Sequence, residues 1–456
     1  MTADSIADAS AASGTEVGYP NGHLGHLKPE EQEALESFKT NLAEKGYYKP
    51  GPPASHDDQT LLSSVEVSRD QSVLRRDCNC NCMLSPAMRQ CKDPDLRGMS
   101  GDGGDDKNKV QNLLDWIGKA NTWMPWNVVD AFKQFKETED WRRANDLNVL
   151  YDTIDLEAYE ASRRLYPQWT GRRDRRGIPL YLFEIRHLDS KTVSAYEKAA
   201  ETNPSKAVTD GQTSPKLLRL FALYENLTRF AQPLCTELPD RPHATTTPIT
   251  LSTNIVDVSG VSLRQFWNLK SHMQAASQLA TAHYPETLDR IFIIGAPYFF
   301  STVWGWIKRW FDPITVSKIF ILGPSEVKAS LEEFIDPKNI PKQYGGELDF
   351  TWGDQPKTDP YIKETVKWEN GLKDFPEGPK YWRPTADGTR MECVAVGREG
   401  GKQRMLSVGT LERVCNVKKA DGDALAEGVK GLSVGDAEKN EVVETGKEAT
   451  VPAVSA

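Results

Sequence analysis

Glu286, Thr315 and Lys318 offer a carboxylate, a hydroxyl and an ammonium within one short stretch of the chain. Such a trio suits an anionic group that also carries hydroxyls: the ammonium meets the charge, the carboxylate accepts from hydroxyls and the threonine can do either. Taken singly, each side chain reads as an ordinary solvated group. The intervening sequence gives them weight. Tyr298 to Phe311 holds Phe299, Phe300, Trp304, Trp306, Trp310 and Phe311, followed or interrupted only by small residues and the basic step Lys308-Arg309. That is more aromatic surface than a soluble helix leaves in water. Indole rings favour an apolar–aqueous interface, and a basic pair beside them suits anionic headgroups. The segment therefore reads as an amphipathic helix with one face on an apolar cavity and one edge exposed to lipid.

Other constellations carry no chemistry. Ser252, Ser259 and Ser262, with His272 and His283 downstream, form no nucleophile elbow, and Cys235 has no activating partner in the sequence. Cys78, Cys80, Cys82 and Cys91 are spaced as C-x-C-x-C without a nearby histidine, which is not the spacing of a zinc site. Gly101-Asp102-Gly103-Gly104 has neither a preceding strand nor a following Lys-Ser/Thr, so it is no phosphate loop. No metal, cofactor or catalytic centre is expected.

The elements that must hold these residues alternate. Residues 28–45 place Leu35, Phe38 and Leu42 on one helical face, and 127–164 read as further helix, so a small helical lobe comes first. From Ile178 onward, strands at 179–185, 249–260, Ile291–Ile294 and Lys318–Leu322 alternate with helices at 216–232 and 262–282. This predicts an α/β lobe with a mixed, largely parallel sheet. Residues 1–22 and 416–456 are small and polar and read as disordered, with an extension over 351–415 between lobe and tail.

Among 456 residues the net charge is -9, so no basic excess exists to bind nucleic acid. The N-terminus lacks the apolar core of a signal peptide, which predicts a cytoplasmic protein with reduced thiols. Ile291–Ile307 is the nearest approach to a membrane span, but it is short and contains Pro297 and Gly305.

The order Tyr284-Pro285-Glu286, Gly295-Ala296-Pro297, an aromatic helix over Tyr298–Trp310, then Asp312-Pro313-Ile314-Thr315-Val316-Ser317-Lys318-Ile319 resembles one family. It is the pattern of the CRAL-TRIO lipid-binding domain of the fungal phosphatidylinositol/phosphatidylcholine transfer proteins. The resemblance covers about 24–62 and 126–350. It implies a helical lobe over 23–165, a lipid-binding domain over 166–350 and a sheet that floors an apolar pocket under a gate helix. It also implies that Glu286, Thr315, Lys318 and Asp312 bind the phosphatidylinositol headgroup. Phe299, Phe300, Trp304, Trp306, Lys308, Arg309 and Trp310 then form the gate and its membrane contact.

Departures from the pattern matter too. Choline-lipid binders of the family use two tyrosines and Ser-x-Thr. Here Tyr181 and Ser252 are kept, while Thr170 and Asn254 replace the other two. The second ligand stays open between choline lipid, a sterol and another apolar molecule. From about 63 to 125 a Cys- and Gly-rich block replaces the family's arginine helix, which reads as misplaced splice boundaries. The function implied is a monomeric, non-catalytic carrier that associates peripherally with membranes of Golgi, endosome or ER type, in vesicle trafficking. Its ligands would be phosphatidylinositol and a second lipid. The alternative is a membrane-associated scaffold or interaction protein.

Overall fold

Five strands make the central sheet: β1 (Gln168–Arg173), β2 (Pro179–Glu184), β3 (Ser252–Asp257), β4 (Leu288–Ile294) and β5 (Ile319–Leu322), in that spatial order. β1 and β2 form an antiparallel hairpin, and β2 to β5 run parallel. The computed structural model describes residues 19–51, 54–66, 128–201, 204–310 and 313–415, with backbone alone at Trp310, Pro313 and Ile314. Every described element lies in one compact unit that ends at Val417.

Parallel strands need a crossover for each step, and helices then cover both faces. This is why β4 reads as a nearly continuous apolar run, whereas β5, at the sheet edge, is equally apolar but leaves Phe320 and Ile321 exposed. Leu180, Leu182, Ile255, Phe292 and Ile294 pack on one side against Leu331, Ile335 and Tyr344. Phe183, Val256, Ile291 and Ile293 face the opposite side, toward Leu220, Phe221, Leu269 and Phe300.

The longer helices among the described residues are α1 (Pro29–Glu44), α2 (Val128–Ala144), α3 (Leu147–Thr153), α4 (Leu156–Arg163), α5 (Ser190–Ala199), α6 (Pro215–Asn226), α7 (Leu263–His283), α8 (Phe300–Ile307) and α9 (Val327–Phe334). Leu35, Phe38 and Leu42 of α1 are fully buried with Leu61, Leu62 and Val65 from helical residues 58–66, and Phe135 of α2 joins them. Helix thus continues past Ser63, where the sequence suggested irregular chain, because Val65 completes this small core. The remainder of that block, with Cys78, Cys80, Cys82 and Cys91, lies outside the described residues.

One buried ion pair fastens the helical lobe to the sheet lobe. Arg142 of α2 donates from two nitrogens to Glu225 of α6, at 2.7 and 3.0 Å, and the Tyr284 hydroxyl donates to the same carboxylate at 2.6 Å. Glu225 is 1% exposed. Burial, the largest single effect, opposes its charge, but the Arg142 guanidinium, the Tyr284 hydrogen bond and Arg229 together hold its pKa below the ordinary carboxylate value. Beside it the Trp141 and His283 rings stack at 4.1 Å, nearly parallel.

Three features differ from what the sequence suggested. β1 is a strand, although QWTGRR lacks apolar alternation. The aromatic helix begins at Phe300, not Tyr298: a turn closes first, with Phe300 N–H donating to the Pro297 carbonyl at 2.8 Å. Its last turn, Lys308–Trp310, is 3₁₀. Third, residues after 366 build a second sheet from β6 (Lys367–Trp368), β7 (Lys380–Pro384), β8 (Arg390–Ala395) and β11 (Leu406–Glu412), ordered β6-β11-β8-β7 and antiparallel, with β9 (Arg398–Glu399) and β10 (Lys402–Gln403) as a small hairpin. Its core merges with the central lobe: Ile362, Trp382 and Val408 pack on Trp169, Tyr181 and Phe230. Among the described residues no helix is long and apolar enough to cross a membrane.

Arg142→Met strands a buried carboxylate, so it should cost roughly 3–5 kcal/mol in urea unfolding, and adding Glu225→Met should recover most of that. His283 tests the same junction by pH. Burial, then the Arg142 charge, lower its pKa from 6.5 to about 4. Between those values the unfolded chain binds more protons than the folded one, so this histidine contributes a loss of stability as pH falls from about 6.5 to about 4. His283→Gln should flatten that part of the stability–pH curve. An unchanged curve would show that the ring is not held neutral.

Candidate functional site

The amino-terminal edge of β3, β4 and β5 gathers most of the predicted headgroup residues. Glu286 lies in the turn before β4 with φ 52°, a left-handed backbone uncommon for a side chain of this size. The turn is fixed from behind, because Tyr284 is fully packed among Phe221 and Tyr224 and bonded to Glu225. Lys318 immediately precedes β5, and its carbonyl accepts from Ile291 N–H at 2.9 Å. Across the β4–β5 boundary, Lys318 Nζ donates to Glu286 Oε2 at 2.9 Å; their side chains are 14% and 24% exposed. Thr315 sits in the short helix Pro313–Ser317, and its carbonyl accepts from Lys318 N–H at 3.2 Å. Glu286, Lys318 and Thr315 are therefore gathered at one edge. Asp312 lies outside the described residues.

His23 joins this edge without having been signalled by any motif. Its Nε2 lies 3.1 Å from Thr250 Oγ1, just before β3, and burial lowers its pKa while it feels the charges of Glu286 and Lys318. Leu24 N–H donates to Gln59 Oε1 at 2.8 Å, so the N-terminal segment bridges the helical lobe to this edge.

Of the second-ligand set, three residues meet. Tyr181 and Asn254 are direct neighbours across β2 and β3. Asn254 Nδ2 donates to Ser252 Oγ at 3.1 Å, and Ser252 Oγ donates to the Thr287 carbonyl at 3.0 Å. Thr170 does not join them. It is wholly buried, its hydroxyl donating to the Leu180 carbonyl at 3.0 Å and accepting from Arg172 N–H. Trp169 stands opposite Tyr181 in the β1–β2 register instead. The aromatic neighbour of Tyr181 is thus one residue earlier than the sequence alignment of motifs implied.

The gate helix α8 lies in the crossover from β4 to β5. Gly295 starts that crossover at φ 67°, and a Cβ there would lie 1.8 Å from Ser259 Oγ, so only glycine fits. Phe300 and Val303 are buried against the sheet lobe, and Trp304 packs there too, stacked on Phe300. Phe299 lines the small cavity beneath, about 40 Å³, with Leu269, Met273 and Ile307. That is far below the roughly 300–1,000 Å³ of a ligand pocket. The gate is closed. On its outer side Tyr298 is 97% exposed and Lys308 and Arg309 point to solvent. Trp306 leans on Trp267 of α7, ring centroids 5.3 Å apart, and Lys270 Nζ lies 4.8 Å from the Trp267 ring. The side chain of Trp310 is outside the described residues.

A family model described as the CRAL/TRIO domain matches residues 163–346. The "SEC14 cytosolic factor" of Eremothecium gossypii is 27% identical over 253 residues, covering 56% of this chain and 74% of that protein. The "Phosphatidylinositol/phosphatidylcholine transfer protein SFH9" of Arabidopsis thaliana is 28% identical over 222 residues, covering 48% of this chain and 35% of that protein. Among solved structures, "Crystal structure of Sfh5" aligns over 76% of this chain and 97% of that one, with 13% identity and a TM-score of 0.38. Residues 163–346 thus match the CRAL/TRIO domain, and the chain resembles the SEC14 cytosolic factors of fungi.

Proposed function

We propose that this protein carries phosphatidylinositol and a second lipid between membranes by ligand exchange, not catalysis, working in the cytosol and docking peripherally. The carrying observation is the Lys318–Glu286 pair, 2.9 Å apart and partly buried, on the strand edge reached from the aromatic gate. Each charge holds the other until a headgroup takes both: phosphate accepts from Lys318, and inositol hydroxyls donate to Glu286. Names of similar proteins, "SEC14 cytosolic factor" and "Phosphatidylinositol/phosphatidylcholine transfer protein SFH9", support this reading.

Exchange on this reading requires α8 to leave the sheet, because the space directly beneath it, about 40 Å³, is too small for acyl chains. Withdrawing Phe300, Val303 and Trp304 from the core costs apolar burial, and lipid chains restore it at ~0.8 kcal/mol per CH₂. Neither state is then far from the other in free energy when a bilayer is present. Docking falls to the outer side of the gate, with Lys308 and Arg309 at the headgroup level and Tyr298 and Trp306 at the interface.

Two outcomes are expected. The Lys318→Ala, Glu286→Ala double variant should keep its circular dichroism yet lose at least tenfold in phosphatidylinositol transfer between vesicles; normal transfer would remove the headgroup assignment. Replacing Lys308 and Arg309 by Glu should slow exchange on anionic vesicles much more than on neutral ones, at roughly 1 kcal/mol per charge near an anionic surface. Equal slowing on both surfaces would mean that the pair acts through folding.

A further inference from the structure

A second cavity, about 130 Å³, lies where the sheet lobe meets the C-terminal sheet. Two hydrogen-bond donors that line it are under-used. Lys380, the first residue of β7, is 8% exposed, and its ammonium makes one hydrogen bond, to the Gly378 carbonyl at 2.7 Å, while lying 4.9 Å from the Phe230 ring centre. An ammonium has three donors. Tyr181 is 9% exposed, and its hydroxyl has no hydrogen-bond partner among the described residues.

The cavity's carboxylates are already committed elsewhere. Glu160 accepts from Arg163 at 2.7 Å, from Gln355 at 2.9 Å and from Gly378 N–H at 2.9 Å. Asp374 accepts from Thr358 at 2.7 Å and pairs with Lys363 at 2.6 Å. A buried cation whose nearest acceptor is one neutral carbonyl is costly unless an anion joins it. Aromatic walls of this kind, Trp169, Tyr181, Phe230 and Phe375, would by themselves suit a quaternary ammonium. Here the Lys380 ammonium already sits against Phe230, and it repels a second cation.

We propose that this seam is an anion site, in which Lys380 and Tyr181 donate to a carboxylate or phosphate group whose apolar body lies among Trp169, Phe230 and Phe375. Burial, first among several causes, lowers the Lys380 pKa from 10.5 to about 8, which agrees with a cation awaiting a partner. The site shares Tyr181 with the second-ligand set, but it stands on its own geometry and does not depend on lipid transfer.

Calorimetry on the full-length chain tests it with three probes: hexanoate, hexyltrimethylammonium and inorganic phosphate. Hexanoate should bind at least tenfold more tightly than hexyltrimethylammonium. Lys380→Met should weaken hexanoate at least tenfold, and Tyr181→Phe, which removes only the hydroxyl, should weaken it severalfold. Phosphate that displaces hexanoate would identify the source as any small anion; phosphate that does not would identify an acidic amphiphile. No hexanoate binding, equal binding of the two hexyl probes, or undiminished binding in Tyr181→Phe and Lys380→Met would overturn the proposal. Should Lys380→Met fail to fold, the Tyr181→Phe measurement and the comparison of hexyl probes still decide it.

Discussion

The buried Arg142–Glu225–Tyr284 cluster is the constraint on which the headgroup edge depends. Glu225 comes from α6, Arg142 from the helical lobe and Tyr284 from the turn that presents Glu286. A carboxylate this deeply buried is tolerable only when its acceptor sites are filled, so the three elements must meet in one geometry. Glu286 inherits that geometry two residues on. Its left-handed backbone is a local cost that a loosely held turn would relax, and the aromatic packing of Tyr284 against Phe221 and Tyr224 prevents the relaxation. The tyrosine of the Tyr-Pro-Glu element thus acts as an anchor, while the glutamate faces outward to Lys318.

The seating of α8 follows from a competition over aromatic surface. In water, Phe300, Val303 and Trp304 gain most by filling the space above the sheet, which leaves only about 40 Å³ beneath them. Trp306 cannot reach that core and settles on Trp267 instead. These two rings belong to a face with an uncommon charge pattern. No acidic residue occurs between Asp257 and Glu286, nor between Asp289 and Asp312, although the chain carries a net charge of -9. Arg264, Lys270, Lys308 and Arg309 are the only formal charges of α7 and the gate.

What the sequence made legible was what depends on local pattern. β4 is apolar because both sheet faces are covered there, β5 is apolar along its whole length although Phe320 and Ile321 stay exposed, and α7 is long and amphipathic, so each announces itself. β1 did not, because Gln168, Thr170 and Arg173 are buried polar residues satisfied only by tertiary partners: Thr170 by the Leu180 carbonyl, Arg173 by Asp240 and Asp359. The same gap hid Trp169 as the true neighbour of Tyr181, for register is a property of the paired strands and not of spacing along one of them. Glu286 and Lys318 were legible as a pair only through motif order. Their 2.9 Å contact needs the parallel β4–β5 register, and His23 needed a chain reversal that no local signal encodes.

The C-terminal sheet completes this logic. Without it, the end of the central sheet formed by Trp169 and Tyr181 would leave two large rings and Phe230 facing water. Its strands are short and mixed in polarity, so they are weak as isolated units, and they hold because Trp382, Val408 and Leu411 share one core with the lobe. A patch of that size covered by the chain's own extension leaves the molecule with two apolar regions of different kind. The one under α8 is covered by the β4–β5 crossover, whose Phe300 and Val303 are buried in it. The one at the seam is closed by an antiparallel sheet tied through Tyr151, whose hydroxyl both accepts from and donates to the Lys380 backbone, so it cannot open without unpicking β7. Any ligand of the seam must therefore be small and enter through gaps between side chains.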